Sequence, residues 1–392
     1  MQTFTFQTVK HLYSGYQCIQ QLSQWLNAQQ AKRVLIVTDA GLITHGLHQA
    51  LLDVLDECQI TYVIYSDIQA DPPEHVVLNA VEFARAQGVD SVIGFGGGSS
   101  LDVAKIIALM SHSDHRQQLS DMYGVEQVKG HRLPLALVPT TAGTGSEVTP
   151  ISIITTGETT KAGIVSSILY ADAVFLDAQF SLNLPLSITA ATGIDAMVHA
   201  IEAYSSVLKK NPHSDLLAVQ ALKYLLHQLP RILHENLSQD QLIVARQEML
   251  YGAMLAGQAF ANAPVGAVHA LAYPLGGRFH LTHGHSNAVV LCEVMRFNRQ
   301  VPQAQSWYAE LERHLNSAAH TWSDETACDA WIERLSQLVA ESQLTLRLNQ
   351  MNIQQQDINT LAQDAMQQTR LLQNNPRPMH LEDAQRIYEA IY

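Results

Sequence analysis

Short runs of β-branched and other apolar residues recur through the first half of the chain, separated by stretches with helical periodicity. The clearest runs are 34–37, 62–65, 91–94 and 135–138, which read VLIV, YVIY, SVIG and LALV. Runs that are apolar on both faces and alternate with helices are typical of parallel strands buried between helical layers. From residue 33 to about 180 the pattern therefore predicts an α/β domain with a mostly parallel sheet.

Beyond Pro185 the β-branched runs fade and apolar residues recur with helical spacing. The predicted helical segments are 187–209, 214–234, 240–262, 303–348 and 354–373, with a short last helix between Pro378 and Tyr392. The second half is therefore predicted to be all-α. We place the domain boundary at 185/186, with an α/β domain over 1–185 and an all-helical domain over 186–392.

Composition and charge narrow the class of protein. The 392 residues are 47% hydrophobic and 15% charged, which is enough apolar material for two folded cores. The formal net charge of −13, without clustered Lys and Arg, argues against a nucleic-acid or anionic-membrane partner. A small-molecule partner is expected.

The cysteines and the N-terminus indicate a cytoplasmic protein. Cys18, Cys58, Cys292 and Cys328 are widely spaced and form no CxxC pair, so neither a disulfide framework nor a zinc knuckle is expected. The first residues lack a basic and apolar leader, and no apolar stretch is long enough to span a membrane.

A strand, a glycine turn and a helix are predicted in series over 89–95, 96–98 and 101–110. Glycines let a backbone approach a pyrophosphate closely, and free amides at a helix start attract its negative charge. The spacing is not GxGxxG, because Ser99 stands where the third glycine would be. Ser99 and Asp102 match a helix capping box, and direct contact with a ligand is equally open.

A second glycine- and hydroxyl-rich loop, 139–146, also follows a predicted strand. Two such loops at the carboxyl ends of neighbouring strands favour a ligand site, although a locally hydrogen-bonded polar loop is the simpler explanation for either alone. Asp39 follows the strand that ends at Val37. It is either a helix cap or an acceptor for ribose hydroxyls, in which case its charge favours NAD over NADP.

Four potential metal ligands lie in the helical half. Asp195 and His199 are four residues apart, so they share one helix face. His269 and His283 follow, separated by an expected helix break at 274–277. Three imidazoles and a carboxylate suit Fe, Zn or a related divalent ion. Taken one at a time, each of these residues could instead be an ordinary buried core residue.

The order of these motifs resembles the iron-containing (group III) alcohol dehydrogenase family from end to end. One family signature is similar to Leu176-Asp177, Pro185 and Gly193-Ile194-Asp195-Ala196-Met197, closed by Glu202. A second is similar to 269–277 followed by His283-Gly284, and the loops 96–102 and 139–147 and the late 375–378 segment are in the family's order.

This resemblance implies the dehydroquinate synthase-like fold of that family: an α/β dinucleotide-binding domain, a helical metal-binding domain and an active site in the cleft between them. It implies Fe²⁺, or Zn²⁺, on Asp195, His199, His269 and His283, and a homodimer or larger homo-oligomer. It also implies NAD contacts, with NADP less favoured, from Asp39, Gly97, Gly98, Ser99, Thr140, Thr141, Thr144, Ser146 and Lys161, to which we add Asp102. For Glu202 we expect contact with a ligand or helix packing rather than metal ligation.

One position departs from the family pattern. Many members carry a histidine four residues after the third ligand, where this chain has Tyr273. Tyr273 and the ligand His283 are the candidate catalytic residues. Because a tyrosine with a reference pKa of about 10 is a weak base at neutral pH, a water chain or His280 are alternative routes for the proton.

The expected reaction is hydride transfer between a small uncharged primary alcohol or diol, or its aldehyde, and NAD(H). Between Pro264 and Cys292 the only cationic anchor is Arg278, and there is none between Thr192 and Ser206. The alternatives are a maleylacetate reductase or a hydroxyacid-oxoacid transhydrogenase of the same family, a dehydroquinate synthase-like lyase, and a non-catalytic metal- or nucleotide-binding protein.

Overall fold

A computed structural model describes residues 3–157 and 160–392. The chain divides into two compact units. One comprises Gln7–Asn183 and Gln239–Met254, and the other comprises Leu184–Ser238 and Leu255–Tyr392 with residues 3–6. We call them the α/β unit and the helical unit.

The α/β unit contains a six-stranded parallel sheet in the order β1-β9-β6-β4-β2-β3. Its strands are β1 (His11–Ser14), β2 (Arg33–Val37), β3 (Thr61–Tyr65), β4 (Ser91–Gly96), β6 (Leu135–Pro139) and β9 (Ala173–Leu176). Its helices are α1 (Leu22–Ala28), α2 (Ala40–Thr44), α3 (Gln49–Glu57), α4 (Glu74–Gln87) and α5 (Gly98–Met110). The four strands predicted from the apolar runs all lie in this sheet.

Alternate residues of the central strands enter different layers of the core. Val34, Ile36, Ile93 and Phe95 pack in one cluster with residues of α1 and α3, and all six residues of β4 are buried. This two-sided burial explains why the strands are apolar without alternation.

A second, three-stranded sheet was not predicted. It consists of β5 (Gly124–Val125), β7 (Ile151–Thr155) and β8 (Lys161–Val165), and β7 pairs with β8 antiparallel. Only alternate residues of β7 are buried, and β8 is mostly half-buried. This one-sided burial left no long apolar run in the sequence.

The helical unit consists of α6 (Leu186–Tyr204), α7 (Pro212–His234), part of α8 (Gln239–Asn262), α9 (Ala267–Phe279), α10 (His283–Asn298), α11 (Pro302–Leu315), α12 (Asp324–Glu341), α13 (Ile358–Met366), α14 (Thr369–Leu372) and α15 (Leu381–Ala390). Sequence signals fix several starts. Asn211 caps α7 by accepting from the Ser214 N–H, with Pro212 at the first helical position, and Ser323 caps α12. None of the helices in the described part of the chain is long and apolar enough to cross a membrane.

The predicted helix break at 274–277 is wrong. Helix α9 continues through Pro274 to Phe279 and ends at His280, which adopts a left-handed conformation with φ of 56°. Most of α9 is buried, including Pro274 itself. Tertiary packing therefore outweighs the hydrogen bond that the proline cannot donate.

The early residues of α8 belong to the α/β unit. Gln247 donates to the Leu176 carbonyl at 2.8 Å and to Ser14 Oγ at 3.0 Å, and it accepts from the Ala178 N–H at 3.0 Å. This one amide side chain thereby joins the ends of β1 and β9. Its contacts explain why residues 239–254 group with a sheet that precedes them by more than sixty positions.

Candidate functional site

The four predicted metal ligands converge in the helical unit. Asp195 and His199 lie on one face of α6, His269 lies in the first turn of α9, and His283 is the first residue of α10. One ligand atom of each residue lies within 4.8 Å of the others. Asp195 Oδ1 is 3.5 Å from His283 Nε2 and 3.9 Å from His269 Nε2.

Three of the four side chains in the cluster are buried, and the fourth is partly exposed to solvent. Asp195, His199 and His269 are buried, whereas 31% of the His283 side chain is exposed. The His199 ring stacks on Phe260 at 4.3 Å between centroids and on His269 at 4.7 Å. Burial alone would raise the pKa of Asp195, but His199, His283 and His269 together hold it below its ordinary value.

This donor set fits a divalent transition metal. Three imidazoles and one ionised carboxylate are ligands that iron and zinc prefer. The set contains too few oxygen atoms to suit Ca²⁺ or Mg²⁺. The Asn287 amide, fully buried one turn after His283, donates to Asp195 Oδ1 at 2.6 Å. That bond orients the carboxylate within the cluster.

Glu202 lies one turn beyond His199 on the same helix and contacts His269, one of the predicted ligands. Its Oε2 is 2.6 Å from His269 Nδ1, and its Oε1 accepts from the Val268 N–H at 2.7 Å. From the sequence, this residue was expected either to contact a ligand or to pack between helices. The spacing of Asp195, His199 and Glu202, at positions i, i+4 and i+7, would have placed all three on one face.

The loop before α9 is held by Asn374 and by the neighbouring Asn375, the first residue of the late Asn-Pro-Arg-Pro segment. Asn374 donates to the Val265 carbonyl at 3.0 Å, and Asn375 exchanges hydrogen bonds with Asn298 at 2.7 and 3.1 Å. A Cβ at Gly266 would lie 3.4 Å from both Asn375 Oδ1 and Glu202 Oε1. The segment thus fixes the backbone that leads into His269.

Helices α6 and α10 approach closely at the cluster. A Cβ at Gly284 would lie 2.2 Å from the Ala191 carbonyl oxygen and 3.2 Å from Asp195 Cβ. Only glycine allows this contact, which brings His283 beside Asp195. A glycine is therefore required directly after His283 for steric reasons.

Tyr273 lies one turn after His269 on α9. Its ring centroid is 5.9 Å from that of His283, and it is half-buried. His280 is exposed at the C-terminal end of the same helix.

In the α/β unit the two predicted ligand loops come together. Strands β4 and β6 are neighbours in register, with Gly96 opposite Pro139, and the Thr140 N–H donates to the Gly96 carbonyl at 3.0 Å. A Cβ at Gly98 would lie 2.8 Å from Thr144 Cγ2. A Cβ at Gly97 would likewise lie 3.7 Å from Thr141 Oγ1. The carboxyl ends of the strands therefore carry one continuous rim of amides and hydroxyls.

The predicted capping box of Ser99 and Asp102 is wrong. Helix α5 begins at Gly98, earlier than predicted, with no side-chain cap. Ser99 Oγ instead accepts from the Asp71 N–H at 3.3 Å.

Asp102, on α5, hydrogen-bonds to residues in and after the second loop. It accepts from Ser146 Oγ at 2.5 Å, from Lys105 Nζ at 3.2 Å and from the Ile153 N–H at 2.9 Å. Ser146 Oγ in turn accepts from Lys105 Nζ at 2.7 Å. The sequence pattern did not single out Lys105, although a lysine inside the apolar run 103–110 predicts a buried charge with polar partners.

Asp39 and Lys161 are both engaged within the unit. Asp39 caps α2 by accepting from the Leu42 N–H at 3.0 Å, so the capping interpretation holds for one of its oxygens. Lys161 Nζ pairs with Asp71 Oδ1 at 2.5 Å, and Asp71 is the residue that contacts Ser99. Through Asp71, Lys161 is thus linked to Ser99 in the first turn of α5.

Comparison with known proteins gives one consistent result. The family model described as iron-containing alcohol dehydrogenase matches residues 10–178, and that of the C-terminal part of the Fe-containing alcohol dehydrogenase family matches 189–392. Long-chain-alcohol dehydrogenase 1 of Geobacillus thermodenitrificans is 39% identical over 96% of this chain and 94% of its own length.

Two solved structures extend the comparison. A 1,3-propanediol oxidoreductase is 29% identical with a TM-score of 0.92, each chain covered completely. Sulfoacetaldehyde reductase from Bifidobacterium kashiwanohense in complex with NAD⁺ is 25% identical with a TM-score of 0.87, covering 100% of this chain and 99% of that one. These findings confirm the resemblance and the fold class that the sequence predicted.

Proposed function

The chain belongs to the iron-containing alcohol dehydrogenase family, and from this premise we propose that it transfers a hydride between a small primary alcohol or diol, or the matching aldehyde, and NAD(H). The observation that carries the proposal is the convergence of Asp195, His199, His269 and His283 within 4.8 Å. Relatives named for long-chain alcohols and for 1,3-propanediol support the substrate class.

We assign these four residues to one divalent ion, Fe²⁺ by family membership, with Zn²⁺ compatible with the same donors. When bound, such an ion supplies Lewis acidity that lowers the pKa of an alcohol hydroxyl. The chain itself supplies the enclosure. Three buried ligands and the Asn287 amide exclude water from all but the His283 side of the cluster.

NAD is assigned to the rim formed by the glycine turn 96–98 and the loop 139–146. Its open amides and hydroxyls suit phosphate and ribose oxygens, and α5 begins at this rim. The Asp39 carboxylate would repel a 2′-phosphate, which favours NAD over NADP. A relative of the same fold in complex with NAD⁺ supports the assignment.

Tyr273 is assigned as the residue that passes the alcohol proton toward solvent. Its ring lies beside His283, the one ligand with substantial exposure. A phenol hydroxyl can donate and accept a hydrogen bond through the same oxygen. It can therefore relay a proton without acting as a stable base.

The substrate is expected to be uncharged. Arg278, the one cationic side chain between Pro264 and Cys292, forms an ion pair with Asp364 that raises the pKa of its guanidinium. An arginine already paired in this way is a poor anchor for a substrate carboxylate or phosphate. Cytoplasmic location and homodimer formation stay predictions from the sequence.

The test is an alcohol and aldehyde panel with NAD(H) and NADP(H), repeated after chelation and after reconstitution with Fe²⁺ or Zn²⁺ separately. We expect turnover of primary alcohols or diols with NAD that is lost on chelation. Activity only with maleylacetate or 4-hydroxybutyrate, included in the panel, would move the protein to another branch of its family.

His269→Ala should abolish bound metal and lower turnover on the order of a thousandfold, since Lewis acidity supplies several kcal/mol of the rate enhancement. His234→Ala, an exposed histidine of the same unit, is the matched control and should change neither quantity. Normal turnover by a metal-free His269→Ala protein would refute the assignment.

A further inference from the structure

We propose that Glu202 is a positioning residue that fixes the proton of His269 on Nδ1, so that the Nε2 lone pair is presented to the metal ion; the inference rests on the metal site of the proposed function. The carboxylate is 4% exposed, and both of its oxygens face donors. Oε1 accepts from the Val268 N–H at 2.7 Å, and Oε2 lies 2.6 Å from His269 Nδ1.

The tautomer follows from the chemistry of the partner. An ionised carboxylate can only accept hydrogen bonds, so a bond to Nδ1 requires the proton to be on Nδ1. In the neutral ring the other nitrogen, Nε2, then carries the lone pair. That nitrogen points into the cluster, 3.9 Å from Asp195 Oδ1.

The opposite side of the ring gives independent support. His269 Nε2 is 3.3 Å from Asn287 Nδ2, and the same Nδ2 is 2.6 Å from Asp195 Oδ1. Because a carboxylate accepts, the amide must turn its NH₂ group toward the cluster. Nε2 therefore faces a donor, which agrees with a lone pair at that position.

The neutral isostere should reverse this arrangement. In Glu202→Gln the single amide oxygen can serve either the Val268 N–H or His269 Nδ1. If it serves the backbone, the NH₂ group faces Nδ1, which must then accept, and the proton moves to Nε2 where the metal should bind. If it serves the ring, a buried backbone N–H is left facing a second donor.

The first experiment measures metal affinity without any alcohol. The dissociation constants of Zn²⁺ and Co²⁺ are obtained by chelator competition for the full-length wild type and for Glu202→Gln, Glu202→Asp and Glu310→Gln. We expect Glu202→Gln to bind about 10- to 100-fold more weakly. Glu202→Asp retains the charge and should recover part of that loss.

Glu310→Gln is the matched control. Glu310 is a carboxylate of the same unit that accepts from the Tyr204 hydroxyl at 2.8 Å, a bond that the glutamine oxygen can keep. Its metal affinity should equal that of the wild type. Equal affinity in the wild type and a folded Glu202→Gln protein would overturn the inference.

A second measurement requires no variant. The ¹⁵N chemical shifts of labelled histidines in the metal-free wild type, at a pH where imidazoles are neutral, report which nitrogen carries the proton, and comparison with His269→Asn assigns the signal. An Nδ1–H tautomer supports the inference, and an Nε2–H tautomer overturns it. Absence of metal binding by the wild type would instead refute the metal site of the proposed function, so the two failures are distinguishable.

Discussion

Lys105 and Glu147 are two ionisable side chains enclosed in the α/β unit. Lys105 is fully buried and donates to Ser146 Oγ at 2.7 Å and to the Ile151 carbonyl at 2.6 Å. Burial lowers the pKa of the Lys105 ammonium, which the Asp102 carboxylate opposes. Burial also raises the pKa of Glu147 to about 7, although the nearby Lys105 pulls it down.

Glu147→Gln should therefore change the pH dependence of stability. Because the pKa of Glu147 is higher in the folded than in the unfolded state, its contribution is complete below its ordinary value of 4.5 and is lost as pH rises through about 7. The free energy of unfolding of the variant relative to wild type should rise between pH 5 and 8, on the order of 2 kcal/mol. Urea denaturation at several pH values measures it, and a constant difference would contradict the raised pKa.

At this scale the sequence identified the four side chains that converge in the cluster, but not the residues that hydrogen-bond to them. Asp195 and His199 share a helix face by spacing alone, and family resemblance supplied His269 and His283. Glu202 and Asn287 act through hydrogen bonds to residues 67 and 92 positions away. Such bonds depend on how helices pack, which local periodicity does not encode.

Among the secondary-structure elements, the contact between α6 and α10 sets the geometry of the cluster. Gly284→Ala should force the two backbones apart, because its Cβ would lie 2.2 Å from the Ala191 carbonyl oxygen. We expect a loss of about 1–3 kcal/mol in stability and weaker Zn²⁺ binding. Thermal denaturation and chelator competition measure the two effects.

Gly276→Ala in α9 is the control for that variant. Its Cβ would lie 3.4 Å from the Leu281 carbonyl oxygen, an ordinary contact, and alanine favours a helix over glycine. Stability should be unchanged or higher. If both alanine variants behave alike, the close approach of α6 and α10 does not determine the site.

Elements were predicted well where burial leaves a pattern and poorly where packing overrides it. The two-sided burial of β2 and β4 produced apolar runs that were read correctly. The start of α5 and the passage of α9 through Pro274 were missed, because glycine and proline have local preferences that neighbouring helices and strands can outweigh.

For the whole molecule, the division into two units predicts which helices lose stability when metal is removed. All four proposed ligands belong to the helical unit. Since a ligand that binds only the folded state stabilises it by mass action, chelation should loosen α6, α9 and α10. Hydrogen exchange of the chelated and metal-loaded protein should show faster exchange in those helices, with β2, β4 and β6 unchanged. Uniform acceleration in both units would contradict the prediction.

The sequence pattern predicts a change from alternating strands and helices to helices alone at 185/186, and the first division between the two units along the chain lies between Asn183 and Leu184. It did not show that residues 239–254 join the α/β unit. Amphipathic periodicity shows that a helix has an apolar face, but not which core receives that face.

The position of Gln247 has a practical consequence for recombining enzymes of this type. A gene fragment that stops at residue 185 encodes every strand of the sheet, yet it omits the amide that links Ser14, Leu176 and Ala178. Chimaeras that exchange first halves between relatives at that junction would mix one parent's sheet with the other parent's helix. A swap that carries residues 239–254 along with the first half keeps Gln247 with the Ser14, Leu176 and Ala178 of its own parent.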